Sequence, residues 1–322
     1  MFNGSIVAGL RDGTILEISG SDATTEVMKS HSTGETWGLA IADDSHFVTS
    51  GDDNKVLSWD MGDRKCCAEA EVCDEESHPK AGGASTLSDL APSQCARAVA
   101  INAGGNGHVA VGHNDGRVTI RSSTNNLKVT KTLTDSDEWI ECMAYSPDGS
   151  KLAVGSHDNN IYVYDTSDYS LAGTCSKHNS FIVSVDWSED GSYLRSVCGA
   201  HELLFFNGED YSQDTSGASN TVETKWATSS AKYGWLVSGI FPAGTDGTHI
   251  NHVDFSSDGQ LIVTGDDYGL VNVWRNPAVG GCHPVSLRGH SEHVVRTYFT
   301  PSGDHIISVG GYDKTIMQWK RC

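Results

Sequence analysis

The chain has 322 residues, of which 38% are hydrophobic, 35 are glycine and only 7 are proline. Many glycines with few prolines are typical of short strands joined by tight turns, not of a disordered chain. The formal net charge of −20 opposes binding to nucleic acids and to anionic membrane surfaces, so neither is expected as a partner.

The start of the chain, MFNGSIVAGLRDG, has neither the basic first region nor the apolar stretch of a signal peptide. No run of about 18 apolar residues is present, so no membrane-spanning helix is expected. The nine cysteines form no C-x-x-C pair, which argues against a zinc site. We interpret them as reduced, mostly buried residues in a reducing compartment.

One pattern recurs along the chain: a strand, a glycine, an aspartate in a turn, and a second strand. Its seven copies, in chain order, are IVAGLRDGTILEI, FVTSGDDNKVLSW, HVAVGHNDGRVTIR, KLAVGSHDNNIYVY, YLRSVCGAHELLFF, LIVTGDDYGLVNVW and HIISVGGYDKTIMQW. In five copies the turn position is an aspartate, at Asp12, Asp53, Asp115, Asp158 and Asp313. In the fifth and sixth copies it is Ala200 and Tyr268.

Another predicted strand precedes most copies, and Asp-Gly or Ser-Gly turns such as SPDGS and TPSGD follow several of these strands. Four of the six gaps between turn positions are 41, 43, 42 and 45 residues, the period of a four-stranded propeller blade. The other two are 62 and 68 residues. The spacing predicts an all-β, seven-bladed propeller in a single domain, residues 1–322, with surface insertions at about 66–94 and 208–249.

The repeats resemble those of the WD40 family, most clearly in RGH followed by IISVGGYDKTIMQW. The resemblance implies buried hydrogen-bonded sets made of a histidine, a serine or threonine, the turn aspartate and a tryptophan. Matching residues are His31, Thr49, Asp53 and Trp59 in one copy and His290, Ser308, Asp313 and Trp319 in the last, with Asp115 and Asp158 as the turn aspartates of two others. A set that recurs from blade to blade indicates architecture, because an enzyme does not need several catalytic triads.

Four stretches together resemble the second propeller of the echinoderm microtubule-associated protein-like family. They are ETWGLAI, LAVGSHDNNIYVYD, KWATSSAKYGWLVSGIFPAGTDGTHIN and HSEHVVRTYFTPSGDHIISVGGYDKTIMQWK. The third accounts for an atypical or extra element at about 223–249. Family members carry a hydrophobic motif and a first propeller ahead of this one. We therefore interpret the chain as an isolated second propeller, either cut from a longer protein or an unusually short relative.

The resemblance implies a non-catalytic scaffold of the cytoplasmic cytoskeleton that binds tubulin or microtubule-associated partners, with a second propeller as neighbour in the full-length protein. The alternative is a generic WD40 adaptor in a non-cytoskeletal complex. No enzyme activity, cofactor or metal is expected, since neither a G-x-S-x-G nor an H-E-x-x-H motif occurs. Predicted strands near residues 5–29 either close the ring beside TIMQWK or leave an open edge there.

Two groups of residues are candidates for partner binding. The sequence of residues 226–241 predicts two strand-like pieces around a glycine-containing turn. Their aromatic side chains either pack inside an extra blade element or face outward as an anchor for a partner. The outward alternative makes Tyr233, Trp235 and Phe241 contact residues. This chain and tubulin are both acidic, so local basic residues would have to offset the repulsion between them. The candidates are Arg288, His293, Arg296 and Lys314.

Overall fold

The computed structural model describes residues 6–10, 13–19, 23–72, 95–241 and 248–321. In these residues, 25 strands form seven antiparallel sheets. Within each sheet, strands that follow one another in the chain are paired, as tight turns between short alternating strands favour. The prediction of an all-β, seven-bladed WD40-type propeller with an atypical element near 223–249 is confirmed. No helix in the described ranges is long and apolar enough to span a bilayer.

The sheets are numbered here in chain order. Sheet 1 contains β1 (Ile6–Gly9), β2 (Ile15–Ile18) and β3 (Thr24–Met28). Sheet 2 contains β4 (Thr36–Ile41), β5 (His46–Gly51), β6 (Lys55–Asp60) and β7 (Lys65–Glu71). Sheet 3 contains β8 (Ala96–Ile101), β9 (His108–His113), β10 (Val118–Ser122) and β11 (Lys128–Leu133). Sheet 4 contains β12 (Ile140–Tyr145), β13 (Lys151–Ser156), β14 (Ile161–Asp165) and β15 (Ser170–Cys175).

Sheet 5 contains β16 (Ile182–Trp187), β17 (Tyr193–Cys198) and β18 (Leu203–Asn207). Sheet 6 contains β19 (Ile250–Phe255), β20 (Leu261–Asp266), β21 (Leu270–Arg275) and β22 (Val285–Arg288). Sheet 7 contains β23 (Val294–Phe299), β24 (His305–Gly310) and β25 (Ile316–Lys320). Two short helices lie between sheets 5 and 6, α1 (Gly217–Asn220) and a 3-10 helix (Trp235–Val237).

The core lies between neighbouring sheets. In β13, every residue from Leu152 to Ser156 is buried, whereas β7 at the outer edge of sheet 2 alternates between exposed and half-buried residues. A strand covered on both faces is apolar along its length, and a strand covered on one face alternates. One core cluster joins Ile161 of sheet 4 to Val185 and Trp187 of sheet 5.

Seven segments of the chain line a central channel. Six of the lining segments belong to the first strands of sheets 2 to 7, namely β4, β8, β12, β16, β19 and β23. The seventh comprises residues 228–230, which lie between β16 and β19. β23 packs against β4, so the ring closes between sheets 7 and 2.

Sheet 1 lies beside the ring, and none of its described residues lines the channel. A groove of about 500 Å³, lined partly by Ile15, Met28, Trp59 and Ile316, separates it from sheets 2 and 7. Among the strands that the structure describes, β25 pairs only with β24. Of the two alternatives that the sequence left for TIMQWK, the described residues show the open edge.

The first predicted insertion begins inside a strand. Residues 66–71, expected to lie in a surface loop, belong to β7, which pairs with β6 from Lys55 to Asp60. The alternating CCAEAE sequence allows one face of this strand to pack while the other meets solvent. Residues 73–94, the rest of that predicted insertion, lie outside the described residues.

The described residues of the second predicted insertion, 208–241 and 248–249, have little regular structure. The two strand-like pieces expected around Gly234 are not strands, since this stretch contains one isolated bridge, between Ser188 and Trp226, and the 3-10 helix. The bridge is antiparallel, so the chain from Trp226 runs back along β16. The physical reason is that the side chain of Asp186, and not a neighbouring strand, accepts hydrogen bonds from the backbone N–H groups of Ser230 and Ala231.

Candidate protein-interaction face

A buried hydrogen-bonded set fixes the connection into sheet 2. His31 Nδ1 lies 2.9 Å from Asp53 Oδ1, and His31 Nε2 lies 2.9 Å from Thr49 Oγ1. Trp59 Nε1 donates to the same threonine hydroxyl at 2.9 Å. All four residues are buried, and a buried carboxylate is tolerated only with such partners. The set joins the segment before β4 to the turn between β5 and β6.

The set in sheet 7 has a fifth member. His290 Nε2 lies 2.7 Å from Ser308 Oγ, which also accepts a hydrogen bond from Trp319 Nε1 at 2.8 Å. Asp313 Oδ2 is 3.4 Å from His290 Nδ1, and Thr315 Oγ1 is 2.7 Å from that nitrogen. Burial lowers the pKa of His290, so its imidazole is neutral at neutral pH and serves as a hydrogen-bonding group.

Asp115 and Asp158 have different partners. Asp115 Oδ2 accepts from Arg117 Nε at 2.8 Å. Asp158 Oδ2 accepts from Ser136 Oγ at 3.1 Å and from the Tyr162 hydroxyl at 2.7 Å. Both carboxylates still hold the turn between the second and third strands, here through Arg117 in one sheet and through Ser136 and Tyr162 in the other.

In sheet 5, the carboxylate beside the histidine comes from Glu202, two residues after Ala200. His178 Nε2 lies 2.6 Å from Ser196 Oγ, and His178 Nδ1 lies 3.4 Å from Glu202 Oε2. The backbone N–H of Asn179 donates to the same carboxylate oxygen at 3.0 Å. The sequence analysis did not predict this role for Glu202. An acidic residue two positions after the alanine that replaces the aspartate could have indicated it.

One end of the sheets presents exposed aromatic side chains. In an antiparallel sheet, the start of the first strand and the turn between the second and third strands lie at the same end. We call the surface made by this end of sheets 2 to 7 the turn face. Trp139 and Phe181 directly precede β12 and β16, and both are exposed. Tyr268 and Tyr312 lie in turns and are 72% and 57% exposed.

These four aromatic residues were not among the predicted contact residues. Trp139 and Phe181 share one repeat position, directly before the first strand of the sheet, and His249 and His293 occupy it in sheets 6 and 7. Glu35 and Cys95 occupy it in sheets 2 and 3, so a comparison across copies would have shown rings in four of six sheets. A single copy, read alone, gives no reason to separate Trp139 from a core residue.

A stacked arginine lies among these aromatics. The guanidinium carbon of Arg97 is 3.9 Å from the ring centroid of Trp37 and 4.3 Å from that of Trp139. Its Nη1 atom lies 3.4 Å from Glu141 Oε2, and Trp139 also contacts the His157 ring at 5.3 Å between centroids. Stacking on two rings and pairing with a carboxylate restrict the rotamers of Arg97, and only 17% of its side chain is exposed.

The three predicted aromatic contact residues have different environments. The Tyr233 hydroxyl is hydrogen-bonded to His201 Nδ1, and the Tyr233 ring stacks on Phe241 at 5.9 Å between centroids. Both rings are half-buried, and Phe241 packs against the core of sheet 6. Trp235, on the 3-10 helix, is 69% exposed. The packing alternative therefore describes Tyr233 and Phe241, and the outward alternative describes Trp235.

The predicted basic residues do not form one patch. Arg288 is exposed at the end of β22, and Lys314 donates from Nζ to the Tyr312 carbonyl at 3.0 Å. Arg296 faces the channel, where its Nη2 atom lies 3.4 Å from Glu141 Oε1. Arg296 is therefore paired inside the ring and does not lie beside Arg288 and Lys314.

His293 lies on the turn face between two carboxylates. Its Nε2 atom is 3.0 Å from Glu35 Oε2, and its Nδ1 atom is 3.1 Å from Glu292 Oε2. The hydrogen bond to Glu35, with help from Glu292, raises the pKa of His293 to about 9. The imidazolium is thus charged at neutral pH, but its charge is already matched by two acids.

The channel does not resemble a nucleophilic active site. Burial raises the pKa of the Cys142 thiol, whereas a nucleophilic cysteine needs a lowered one. Burial also raises the pKa of Asp254 to about 7. Asp254 Oδ2 accepts from the backbone N–H of Phe299 at 2.8 Å, a contact between inner strands that serves the ring.

Known proteins resemble this chain over most of its length. The family model described as the echinoderm microtubule-associated protein second beta-propeller matches residues 36–321. A ciliary WD repeat-containing protein, ctxp80 of Euplotoides octocarinatus, is 72% identical over 322 residues, which cover 100% of this chain and 45% of that protein.

More distant relatives belong to animals. The 77 kDa echinoderm microtubule-associated protein of Lytechinus variegatus is 35% identical over 93% of this chain and 42% of its own length. Echinoderm microtubule-associated protein-like 1 of Homo sapiens is 35% identical over 98% of this chain and 36% of its own length. The chain thus spans less than half the length of these curated relatives.

Among solved structures, a chain of the mitotic checkpoint complex superposes with a TM-score of 0.53 at 14% identity, covering 98% of this chain and 84% of that one. At that identity the likeness concerns the fold alone. The family match extends from the first residue of β4 to the residue after β25, which is the whole of the ring. The chain therefore belongs to the echinoderm microtubule-associated protein second β-propeller family.

Proposed function

We propose that this propeller is a non-catalytic interaction scaffold of the cytoskeleton, and that its turn face binds tubulin or a microtubule-associated partner. The observation that carries the proposal is the family match over residues 36–321, together with relatives named as microtubule-associated proteins at 35% identity. The proposal extends to a cytoplasmic, cytoskeleton-associated location. The cilium is the first compartment to inspect, because a 72% identical relative is named as ciliary.

The turn face has the residue types that dominate protein interfaces. Aromatic and arginine side chains supply most of the binding energy at such interfaces, from well-packed positions surrounded by less important contacts. Tyr268 and Tyr312 are exposed, whereas Arg97 is held between two tryptophan rings and paired with Glu141. These residues support a contact made by aromatic rings more than by a broad basic patch.

The net charge of −20 sets an expectation for salt dependence. Tubulin is acidic, so long-range repulsion opposes the encounter, and added salt screens that repulsion. If apolar contacts on the turn face dominate, affinity rises or stays level as ionic strength increases. If local basic residues such as Arg288 and Lys314 dominate, affinity falls with salt.

The test measures binding of the purified chain to tubulin heterodimers and to microtubules over a range of salt concentrations. The double variant Tyr268→Ala/Tyr312→Ala is expected to bind at least about tenfold more weakly, which corresponds to roughly 1.4 kcal/mol. The matched control is Val285→Ala, an exposed apolar residue at the end of β22 remote from the turn face. Absence of binding at every salt concentration would refute the proposal for this chain.

The longer relatives also suggest a neighbouring domain. The chain covers 36% to 45% of the curated proteins cited above, so we propose that a second propeller accompanies this one in the full-length protein. Proximity labelling of the full-length protein distinguishes the cytoskeletal proposal from the generic adaptor. Recovery of non-cytoskeletal partners alone would favour the adaptor.

A further inference from the structure

We propose that His178, Cys198 and Glu202 of sheet 5 form a binding site for one divalent transition-metal ion, with Zn²⁺ as the best match. His178 lies before β16, Cys198 ends β17, and Glu202 lies in the turn that follows β17. Their candidate ligand atoms all lie within 4.8 Å of one another. No other group of three such side chains converges in this way within the described ranges.

The distances between the ligand atoms suit a zinc ion. His178 Nδ1 lies 3.4 Å from Glu202 Oε2, and Cys198 Sγ lies 3.2 Å from the same oxygen. Zinc binds nitrogen and oxygen at about 2.0–2.2 Å and sulfur at about 2.3 Å, so neighbouring ligands of a tetrahedral ion are roughly 3.4–3.6 Å apart. Small side-chain movements would therefore admit the ion. A thiolate with an imidazole favours zinc over calcium or magnesium.

Sheet 5 differs from sheets 2 and 7 at the position that introduces the thiol. The position of Cys198 is occupied by Gly51 in sheet 2 and by Gly310 in sheet 7, whereas sheets 3, 4 and 6 carry His113, Ser156 and Asp266 there. In sheet 7, a Cβ atom on Gly310 would lie 2.0 Å from Asp313 Oδ1. Ala200 replaces that aspartate in sheet 5, where Cys198 Sγ lies 3.2 Å from Glu202 Oε2.

The hydrogen bonding of the histidine also differs in sheet 5. In sheets 2 and 7 a tryptophan N–H occupies one lone pair of the threonine or serine hydroxyl. Phe206 occupies the tryptophan position in sheet 5 and has no N–H, so both lone pairs of Ser196 Oγ are open to His178. Ser196 Oγ lies 2.6 Å from His178 Nε2 and accepts from it in the tautomer protonated at Nε2, which is the tautomer whose Nδ1 lone pair can bind a metal.

A further observation supports a ligand at this point. His178 Nδ1 is buried, and its 3.4 Å contact with Glu202 Oε2 does not have hydrogen-bond geometry. A bound metal would satisfy this atom, while Ser196 would act as the outer partner that orients a metal-binding histidine. An unsatisfied buried nitrogen is otherwise costly, so the site has a reason to hold an ion.

The carboxylate is positioned for the same task. Asn179 donates to Glu202 from its side chain at 2.5 Å and from its backbone N–H at 3.0 Å. These two hydrogen bonds fix the carboxylate, whose Oε2 atom faces both His178 Nδ1 and Cys198 Sγ.

The experiment titrates Zn²⁺ into the chelator-stripped, reduced 322-residue chain and repeats the titration with Co²⁺, whose thiolate charge-transfer absorption reports a Co–S bond. We expect one tight site per chain with that absorption. Cys198→Ser should abolish the absorption and weaken Zn²⁺ binding by about 100-fold or more, because even outer partners contribute about 10–100-fold. Cys67→Ser is the matched control, since Cys67 is exposed and should be irrelevant.

A second variant keeps the test decisive if Cys198→Ser does not fold. Glu202→Gln preserves the side-chain shape at a partly exposed position and should also weaken Zn²⁺ binding. The ion should raise the melting temperature of the unmodified chain but not that of Glu202→Gln. Equal Zn²⁺ affinity in the unmodified chain and in Glu202→Gln would overturn the proposal, as would a Co²⁺–thiolate absorption that depends on Cys67.

Discussion

Single buried carboxylates determine how the connecting segments of this propeller attach to its sheets. Asp186 on β16 is fully buried. It accepts hydrogen bonds from Arg195 Nε at 3.0 Å, from the Thr228 hydroxyl at 2.9 Å, and from the Ser230 and Ala231 backbone N–H groups at 2.8 and 3.1 Å. One side chain thereby holds the segment that completes the channel wall.

Replacing Asp186 by alanine should therefore be costly. Asp186→Ala leaves the Arg195 charge and two backbone donors without their acceptor, and removal of one partner of a buried ion pair costs about 3–5 kcal/mol. Denaturant unfolding measures the loss, and hydrogen exchange should show faster exchange at residues 230 and 231. The control is Asp190→Ala in the exposed turn after β16, with an expected cost below about 1 kcal/mol. Similar costs for both variants would contradict the assigned role.

His293 predicts a pH dependence at the same scale. Its folded-state pKa of about 9 lies above the unfolded value near 6.5. The stabilisation is therefore fully present below pH about 6.5 and is lost as pH rises through about 9. His293→Gln should be less stable than the unmodified chain at pH 6, and the difference should shrink by pH 10. Thermal melts of both chains from pH 6 to pH 10 measure this difference in stability. A difference that does not change with pH would show that the charge of His293 does not contribute.

At the scale of elements, the segment from Trp226 to Phe241 fills a ring position without forming a strand. Residues 228–230 line the channel between β16 and β19, and Val237 and Ile240 are buried in the core of sheet 6. The Gly239 N–H donates to the Ala278 carbonyl at 2.7 Å, which anchors the segment to the chain after β21. The element is therefore part of the core on one side and exposed on the other.

Two substitutions distinguish the buried side of this segment from its exposed side. Ile240→Ala should destabilise the chain by about 2–5 kcal/mol, since Ile240 is fully buried and its removal leaves a cavity. Trp235→Ala should change stability by less than about 0.5 kcal/mol, because the ring is mostly in solvent, and should weaken partner binding instead. Denaturant unfolding and tubulin binding give the two readouts. A large stability loss in Trp235→Ala would mean that this ring packs against the protein.

At the scale of the whole molecule, the ring and the family match coincide. The matched residues 36–321 contain every segment that lines the channel. Sheet 1 precedes the match, and the residues of β1 and β3 are mostly exposed. We propose that residues 1–322 form a single propeller domain whose cooperativity depends on the ring.

Deleting residues 1–28 tests which part of the chain the ring requires. The shortened chain keeps His31 and the sheet 2 hydrogen-bonded set, so it should still unfold in one cooperative transition. The melting temperature should fall by a few degrees, corresponding to roughly 1–2 kcal/mol. Calorimetry measures both. Loss of the cooperative transition would show that sheet 1 is needed to close the ring despite its position beside it.

The sequence alone determined most of the strands, the turns between them and the family. Periodic glycines, Asp-Gly turns and apolar alternation are local signals, and they predicted the seven sheets because antiparallel neighbours in a blade are also neighbours in the chain. The unusual WATSSAKYGWLVSGIF stretch identified the family. The two four-residue sets around Asp53 and Asp313 were placed by the WD40 resemblance for the same reason, since their members recur at fixed spacing.

Only the tertiary structure decided which contacts form between distant segments. It placed Arg296 in the channel beside Glu141, and it packed the half-buried Phe241 against the core of sheet 6 while exposing Trp235. It also brought residues 228–230 into the ring without strand pairing. Each outcome depends on side chains far apart in the chain, such as Asp186 and Ser230, 44 positions apart. The residue pattern within one repeat copy carries no information about which distant segments come into contact. Closure of the ring decides those contacts.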